Sequence, residues 1–419
     1  MENRIYFVID MKSFYASVEC AERNLDPFKT NLVVADDERG NGTVCLAISP
    51  HMKALGVKNR CRFYEIPKSI DFIVAKPRMK LYIKYASEIY AIYLKYIDKN
   101  DIHVYSIDEC FLDVTDYLKL YKTTAKAFAK KLMNEIKETL HIPSSCGIGS
   151  NLFLAKVALD ITAKKTKDGI GVLDEESFKK TLWEHVPITD FWSISSGISS
   201  RLEKYGIYTM KGIASCDEKI LYNEFGINAE LLIDHANGIE PCLISDIKNF
   251  KPKSTSISHS QILPCNYSFD EAKIVLLEMI ENGSLELAKQ KLSTNVLHIY
   301  IGYGDVKSDN AKMSEKIKET TNNFKILSEY FSKMFEKIVD KSRPIRKIGF
   351  AFASLADENL EVYDLFTNTN KIKKEKSVTK SVLLVKEKFG KNAILRGTSF
   401  KEKATQRERN KMVGGHNGE

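Results

Sequence analysis

The sequence has no CxxC pair and no His/Cys cluster at zinc-ligand spacing, and its 8 cysteines are scattered singly through 419 residues. That scatter points away from a disulfide framework and from structural zinc, and towards a reduced compartment with most thiols buried as small apolar groups. No apolar run approaches a membrane span. The N-terminus, Met1-Glu2-Asn3-Arg4 followed by Ile5 to Ile9, lacks both a long apolar region and a small-residue cleavage site. We therefore expect a cytoplasmic chain with no membrane partner. Internal repeats are absent as well. What remains is an ordinary globular composition, 43% hydrophobic and 28% charged, over a length that suits roughly two to four domains.

The net charge of +8 is unevenly placed. From residue 367 onward there are 14 Lys plus Arg against 5 Glu and no Asp, a surplus of 9, so residues 1–366 sum to about −1. Such a basic tail suits contact with nucleic acid, or simply solubility.

Tyr105-Ser106-Ile107-Asp108-Glu109-Cys110-Phe111-Leu112-Asp113-Val114 is the most informative stretch. Apolar residues alternate on both sides of the acidic pair, at Ile102 and Val104 and again at Cys110, Leu112 and Val114, the pattern of a half-buried hairpin. Acids at a bend are commonly just solvated. Held on a rigid sheet, they suit a hard metal ion. Ile5 to Ile9 reads as a buried strand ending in Asp10, and Ser13 is placed to cap a short helix from Phe14 to Glu19.

Leu81, Tyr85, Ile89, Ile92 and Tyr96 form one helical stripe before the hairpin, and Ala125, Phe128, Ala129, Leu132, Ile136 and Leu140 form another after it. Asn151 to Ala163 reads as a further helix, and Lys164 to Gly169 as a basic loop. Residues 170–240 read as mainly helical, and Pro241 to Pro252 as a linker without periodicity. Beyond it the order strand, helix, strand, helix, strand from Ser254 to Phe352 predicts a separate α+β domain. Past Leu355 the chain turns polar and basic, apart from a helix at Val378 to Phe389.

The strand ending in Asp10, the run Met11-Lys12-Ser13-Phe14-Tyr15-Ala16-Ser17-Val18-Glu19, and the Ser106-Ile107-Asp108-Glu109 hairpin together closely resemble the Y-family (UmuC/DinB-like) translesion DNA polymerases. The resemblance extends through Gly147-Ile148-Gly149-Ser150-Asn151 to Lys156 and covers most of the chain, with a tail like that of the UmuC/UvrX-like branch of Gram-positive bacteria. It implies an α+β multidomain fold: a ferredoxin-like palm (1–13 and 79–168), fingers (14–78), a helical thumb (169–240), a linker (241–253), an α+β little finger (254–358) and a basic tail (359–419). It implies low-fidelity, template-directed DNA synthesis on primer-template DNA with deoxynucleoside triphosphates, in DNA damage tolerance with SOS accessory proteins as partners.

By the same resemblance Asp10, Asp108 and Glu109 are catalytic and hold two Mg2+ ions, for which Mn2+ can substitute, with the backbone carbonyl of Met11 as a further ligand. Joining a 3′-hydroxyl to an α-phosphate needs that hydroxyl acidified and the leaving group neutralised, and paired magnesium ions do both. Tyr15 falls at the steric gate that rejects a ribose 2′-hydroxyl, and Phe14 under the sugar; helix core is the alternative for both, and an even one only for Phe14. Lys53 and Lys156 are implied triphosphate contacts.

The match has departures. Lys12 stands where many members carry a second acid, and Pro50, which cannot donate a hydrogen bond, precedes Lys53. Ser193-Ile194-Ser195 replaces a Gly-Ile-Gly hairpin that meets DNA phosphates. Lys253, Ser254, Ser256 and Ser258 would follow template phosphates, unless they merely protect an edge strand. Val362-Tyr363-Asp364-Leu365-Phe366 resembles a sliding-clamp peptide without its leading Gln. A non-catalytic, clamp-recruited scaffold and a nucleotide cyclase are the alternatives from other classes.

Overall fold

The computed structural model describes residues 4–40, 42–252, 255–305, 309–360 and 369–418. Lys253 and Ser254, and the clamp-like residues Val362, Tyr363, Asp364, Leu365 and Phe366, lie outside the described residues. The chain forms two compact units, Met1–Phe250 with His416–Glu419, and Lys251–Gly415.

In the first unit the strands are β1 (Tyr6–Met11), β2 (Leu32–Val34), β3 (Ala47–Ile48), β4 (Ile73–Ala75), β5 (Ile102–Val104), β6 (Glu109–Asp113), β7 (Ser144–Gly149) and β8 (Ile170–Leu173). Its helices are α1 (Phe14–Ala21), α2 (Pro50–Ala54), α3 (Met79–Leu94), α4 (Thr115–Leu120), α5 (Ala125–Leu140), α6 (Leu152–Val157), α7 (Glu175–Thr181), α8 (Ser196–Glu203), α9 (Met210–Ala214), α10 (Glu218–Phe225), α11 (Asn228–Ala236) and α12 (Ile244–Asn249).

β1 is the middle of a five-stranded sheet ordered β5-β6-β1-β7-β8. Its apolar run is buried on both faces, as a central strand under helices must be. Phe7 meets Phe128 of α5 with ring centroids 6.0 Å apart. Tyr6 and Val8, on the other face, pack with Phe111, Leu152, Ala155, Leu159 and Ile244. Gly147 is required here, because an added Cβ would overlap the backbone of Ala155 and Leu159. This close approach lays α6 directly on the sheet.

Three sequence expectations need correction. The strand Ile170–Leu173, in a stretch that reads as mainly helical, pairs with β7 in this sheet. Residues 241–253 are not a plain linker: α12 lies there, and its Ile244 enters the sheet's core. The α3 stripe is rotated. Met79, Tyr82, Ile89, Ile92 and Tyr93 are its buried residues, while Leu81 and Tyr85 are half exposed. Tyr82 escapes an apolar count because its hydroxyl needs a buried partner, and it has one, Glu19.

A small sheet, β3-β2-β4, with α2 encloses Val33, Ala35, Cys45, Ile48, Met52, Val57, Cys61 and Ile66. Helices α7 to α11 bury Phe178, Phe191, Leu202, Leu221 and Leu232 in a separate cluster.

The second unit is an antiparallel sheet of β9 (Ser256–Tyr267), β10 (Leu292–Tyr303), β11 (Ala311–Thr321) and β12 (Ile345–Ala353), ordered β11-β10-β12-β9. Helices α13 (Phe269–Lys289) and α14 (Phe324–Ile338) cover the face carrying Leu297, Ile299, Ile348 and Phe352. The alternate residues Ser258, Ser260, Tyr300, Lys312 and Lys347 line an open hollow of about 750 Å³ on the sheet.

The basic tail is more structured than its composition suggests. Helix α15 (Thr369–Phe389) begins well before Val378, and α16 (Gln406–Arg409) is seated on α13. There the buried Glu278 accepts the backbone N–H groups of Thr405 and Gln406, at 2.9 and 3.1 Å, and Arg396 pairs with Glu281. Carboxylates on α13 thus match cations and amides of the tail, so this segment packs instead of standing in solvent.

Candidate active site

The ends of β1 and β6 carry the acids. Asp10 stands directly opposite Glu109 in the antiparallel register, and Met11 N–H donates to the Asp108 carbonyl at 3.0 Å. Carboxyl-bearing residues far apart in sequence therefore share one end of one sheet. Asp108 is at the bend, where Ser106 Oγ donates to its Oδ1 at 2.7 Å, and Glu109 is the first residue of β6, buried to 7% exposure.

The electrostatics of this cluster are unbalanced. Burial, then the charges of Asp108 and Glu109, push the Asp10 carboxyl up to about 7, while Lys156 pulls it down. Burial likewise raises Glu109, against the pull of Lys156. Lys156 Nζ lies 2.8 Å from Glu109 Oε1, an ion pair off the angle of a hydrogen bond, and 3.1 Å from Asp160 Oδ2. Burial works against this ammonium, but Asp160 and Glu109 outweigh it and hold its pKa above the ordinary lysine value.

Lys156 thus meets two carboxylates, and Lys164, further along the chain, is a cation facing outward. Between the two the chain makes a π turn over Ala158–Thr162, which adds a residue to the helix and rotates the next turn about the helix axis. Lys164 is exposed, and its charge reaches Lys53. Burial lowers the pKa of Lys53 and Lys164 adds to the effect, while Asp10 and Asp108 pull the other way. Lys53 sits on α2, which Ser49 caps through Met52 N–H at 3.3 Å and Pro50 opens. Proline is at home at that first position, where no N–H is needed.

Asp160 and Lys164 were missed by motif reading. The i,i+4 spacing of Lys156 and Asp160 was a signal for an ion pair, and the basic loop was a signal for Lys164.

Tyr15 is half-buried, and burial, then the charge of Asp108, raises its pKa against the pull of Arg60. Its ring is stacked on Tyr82 with centroids 4.5 Å apart and planes at 20°. Phe14 is 3% exposed and belongs to the core beside it. The turn from β1 into α1 passes through Ser13 at φ 49°, a left-handed conformation that lets the strand reverse into the helix over two residues.

The hard oxygen donors and the raised Asp10 suit a divalent cation, which would supply the missing positive charge. Among the described residues no trio of His, Cys, Asp or Glu has metal-holding geometry. Lys156 is shared between Glu109 and Asp160.

Ser193 has φ 72°, a conformation natural to glycine, and Ile194 is buried in the helical cluster, so its backbone alone could meet a phosphate. Ser256 and Ser258 are exposed on β9, an edge strand.

Residues 9–160 match the sequence model of the impB/mucB/samB family, and residues 254–365 that of the impB/mucB/samB family C-terminal domain. The chain is 32% identical over 433 residues to DNA polymerase IV 2 of Bacillus subtilis (strain 168), covering 99% of each chain. It is 29% identical to the putative UV-damage repair protein UvrX of the same strain, over 97% of this chain and 96% of that one. Among solved structures, a Y-family DNA polymerase chimera superimposes with a TM-score of 0.64 at 23% identity, over 84% of this chain and 98% of that one.

Proposed function

The chain belongs to the impB/mucB/samB family, the Y-family DNA polymerases, and is a DNA-directed DNA polymerase of the translesion type; from this premise we propose how its residues divide the work. The observation that carries the proposal is the register of β1 and β6, which sets Asp10 opposite Glu109 with Asp108 hydrogen-bonded to Met11 through the backbone.

Asp10, Asp108 and the Met11 carbonyl would hold a magnesium pair, with Glu109 towards the primer end; bound there, the pair would supply the positive charge that acidifies the primer hydroxyl and neutralises the leaving pyrophosphate. Lys53 and Lys164 meet the triphosphate, where a point charge on a flexible stem suits the β- and γ-phosphates. Lys156 holds Glu109 in place before the ions arrive and limits the repulsion among the acids. Tyr15 lies against the sugar and rejects a 2′-hydroxyl.

In domain terms, β1, α3 and the large sheet through β8 form the palm, the β2–β4 layer the fingers, and α7 to α11 the thumb. The second unit is the little finger, whose open face with Ser258, Tyr300, Lys312 and Lys347 tracks template phosphates. Low-fidelity synthesis, a cytoplasmic site of action, binding of the 362–366 peptide to a sliding clamp and recruitment by SOS accessory proteins complete the reading. Among the described residues no helix is long and apolar enough to cross a membrane.

The test is extension of a primed template with magnesium. Wild type extends and Asp108→Ala does not, while an exposed-residue variant such as Lys84→Ala matches wild type. No extension by the wild type, or full extension by Asp108→Ala, would overturn the assignment.

A further inference from the structure

Glu19 is buried completely, its side chain 0% exposed, on the helix that begins with Phe14 and Tyr15. A carboxylate in that position is tolerated only with full compensation. It has it. Arg78 Nε donates to Oε1 at 3.0 Å and its Nη2 to Oε2 at 2.7 Å, a forked pair, and Arg23 also contacts Oε2. The third partner is Tyr82, whose hydroxyl donates to Oε1 at 2.8 Å.

Tyr15 and Glu19 are four residues apart and so lie one above the other on one face of α1. Tyr82, from α3, spans that turn: its hydroxyl is fixed by Glu19, and its ring is the surface on which Tyr15 is stacked. Tyr82 is 0% exposed and cannot swing aside. The rotamer of Tyr15 therefore depends on a ring whose own position depends on a buried ion pair between α1 and α3.

We propose that Glu19 is a positioning residue for sugar selection, acting through Arg78 and Tyr82 to fix the ring of Tyr15. The proposal rests on the reading of Tyr15 as the gate. A merely structural ion pair would contribute to the stability of α1 against α3 and leave the choice between ribo- and deoxynucleotides untouched.

The experiment measures kcat/KM for single incorporations of a deoxynucleotide and the matching ribonucleotide by the full-length protein. Tyr15→Ala tests the gate itself and should raise relative ribonucleotide use by about a hundredfold, the scale of losing a steric exclusion. Tyr82→Leu, which removes the stacking surface, should raise it by about tenfold. Tyr82→Phe and Glu19→Gln, which keep the ring but loosen it, should give roughly three- to tenfold, chiefly through a lower KM for the ribonucleotide.

Arg78→Lys keeps the charge, loses the fork, and should fall in the same range even if Glu19→Gln fails to fold. Ile89→Ala is the stability control: it is buried on α3 away from the stack, and should lower the melting temperature without changing selection. If Tyr15→Ala leaves the preference unchanged, the gate reading fails. If Tyr15→Ala relaxes it while Tyr82→Phe and Arg78→Lys do not, the positioning role fails alone. Equal relaxation by Ile89→Ala would reduce the network to a structural one and overturn the proposal.

Discussion

Replacing Asp10 by asparagine separates the electrostatics of the site from its chemistry. Burial, followed by the charges of Asp108 and Glu109, moves this carboxyl from the ordinary 3.8 to about 7. A pKa raised by folding means that the native state prefers the protonated form. The stabilisation is fully present below the unfolded value and is lost as pH rises through about 7. At 1.36 kcal/mol for each of about three pH units, ionised Asp10 costs on the order of 4 kcal/mol at pH 8.

Asp10→Asn removes the charge at nearly constant shape. In metal-free buffer at pH 8 the first unit of the variant should melt roughly 8–16 °C above wild type, at about 2–4 °C per kcal/mol for a body of this size. The advantage should shrink steadily towards pH 4. Magnesium should raise the wild-type melting temperature at pH 8 and leave the variant nearly unmoved, because a ligand that binds the native state stabilises it only where its site survives. Primer extension should be lost in the variant despite its greater stability. Differential scanning fluorimetry from pH 4 to 8.5, with and without magnesium, reads all of this. An unchanged melting temperature at pH 8, or the same gain at both ends of the range, would refute the argument that burial and the neighbouring acids outweigh Lys156 at Asp10.

Two further outcomes rest on particular contacts. Lys156→Met removes the cation 2.8 Å from Glu109 and should raise the carboxyl pKa values, moving the acid limb of the kcat/KM profile to higher pH by about one unit while a high-pH plateau persists; an unmoved limb would mean that Lys156 does not set the charge state of the site. Glu278→Ala strips the acceptor from Thr405 and Gln406 and should weaken the seat of α16 by about 1–3 kcal/mol. Limited proteolysis within residues 390–415 reads this as faster cleavage, and an unchanged rate would show that the tail is held by other contacts.

The legible parts of this protein are those written locally. The unbroken apolar run from Tyr6 to Ile9 dictates a buried strand, and the alternation around Asp108 dictates a hairpin, because side-chain burial in a sheet repeats every two residues. The Asn323 to Val339 pattern likewise matches α14, capped by Asn323. Motif spacing then brought Asp10, Asp108 and Glu109 into one argument.

What sequence alone left open depends on partners from distant elements. That Lys156 meets Glu109 and Asp160 depends on the glycine-lined seat of α6 on the sheet and on the turn that follows it. Tyr82 looked like any tyrosine until the tertiary fold supplied Glu19 for its hydroxyl. Ile170–Leu173 and Ile244–Asn249 are too short for periodicity to speak, and joined the core through neighbours remote in the chain. The basic tail read as a nucleic-acid contact or a solubilising segment because composition records charge but not the carboxylates of α13 that meet it. The sequence determined the strand that carries Asp10, the hairpin that carries Asp108 and Glu109, and the family. Tertiary structure decided which charges neutralise one another, since pairing depends on distances that only the folded chain sets.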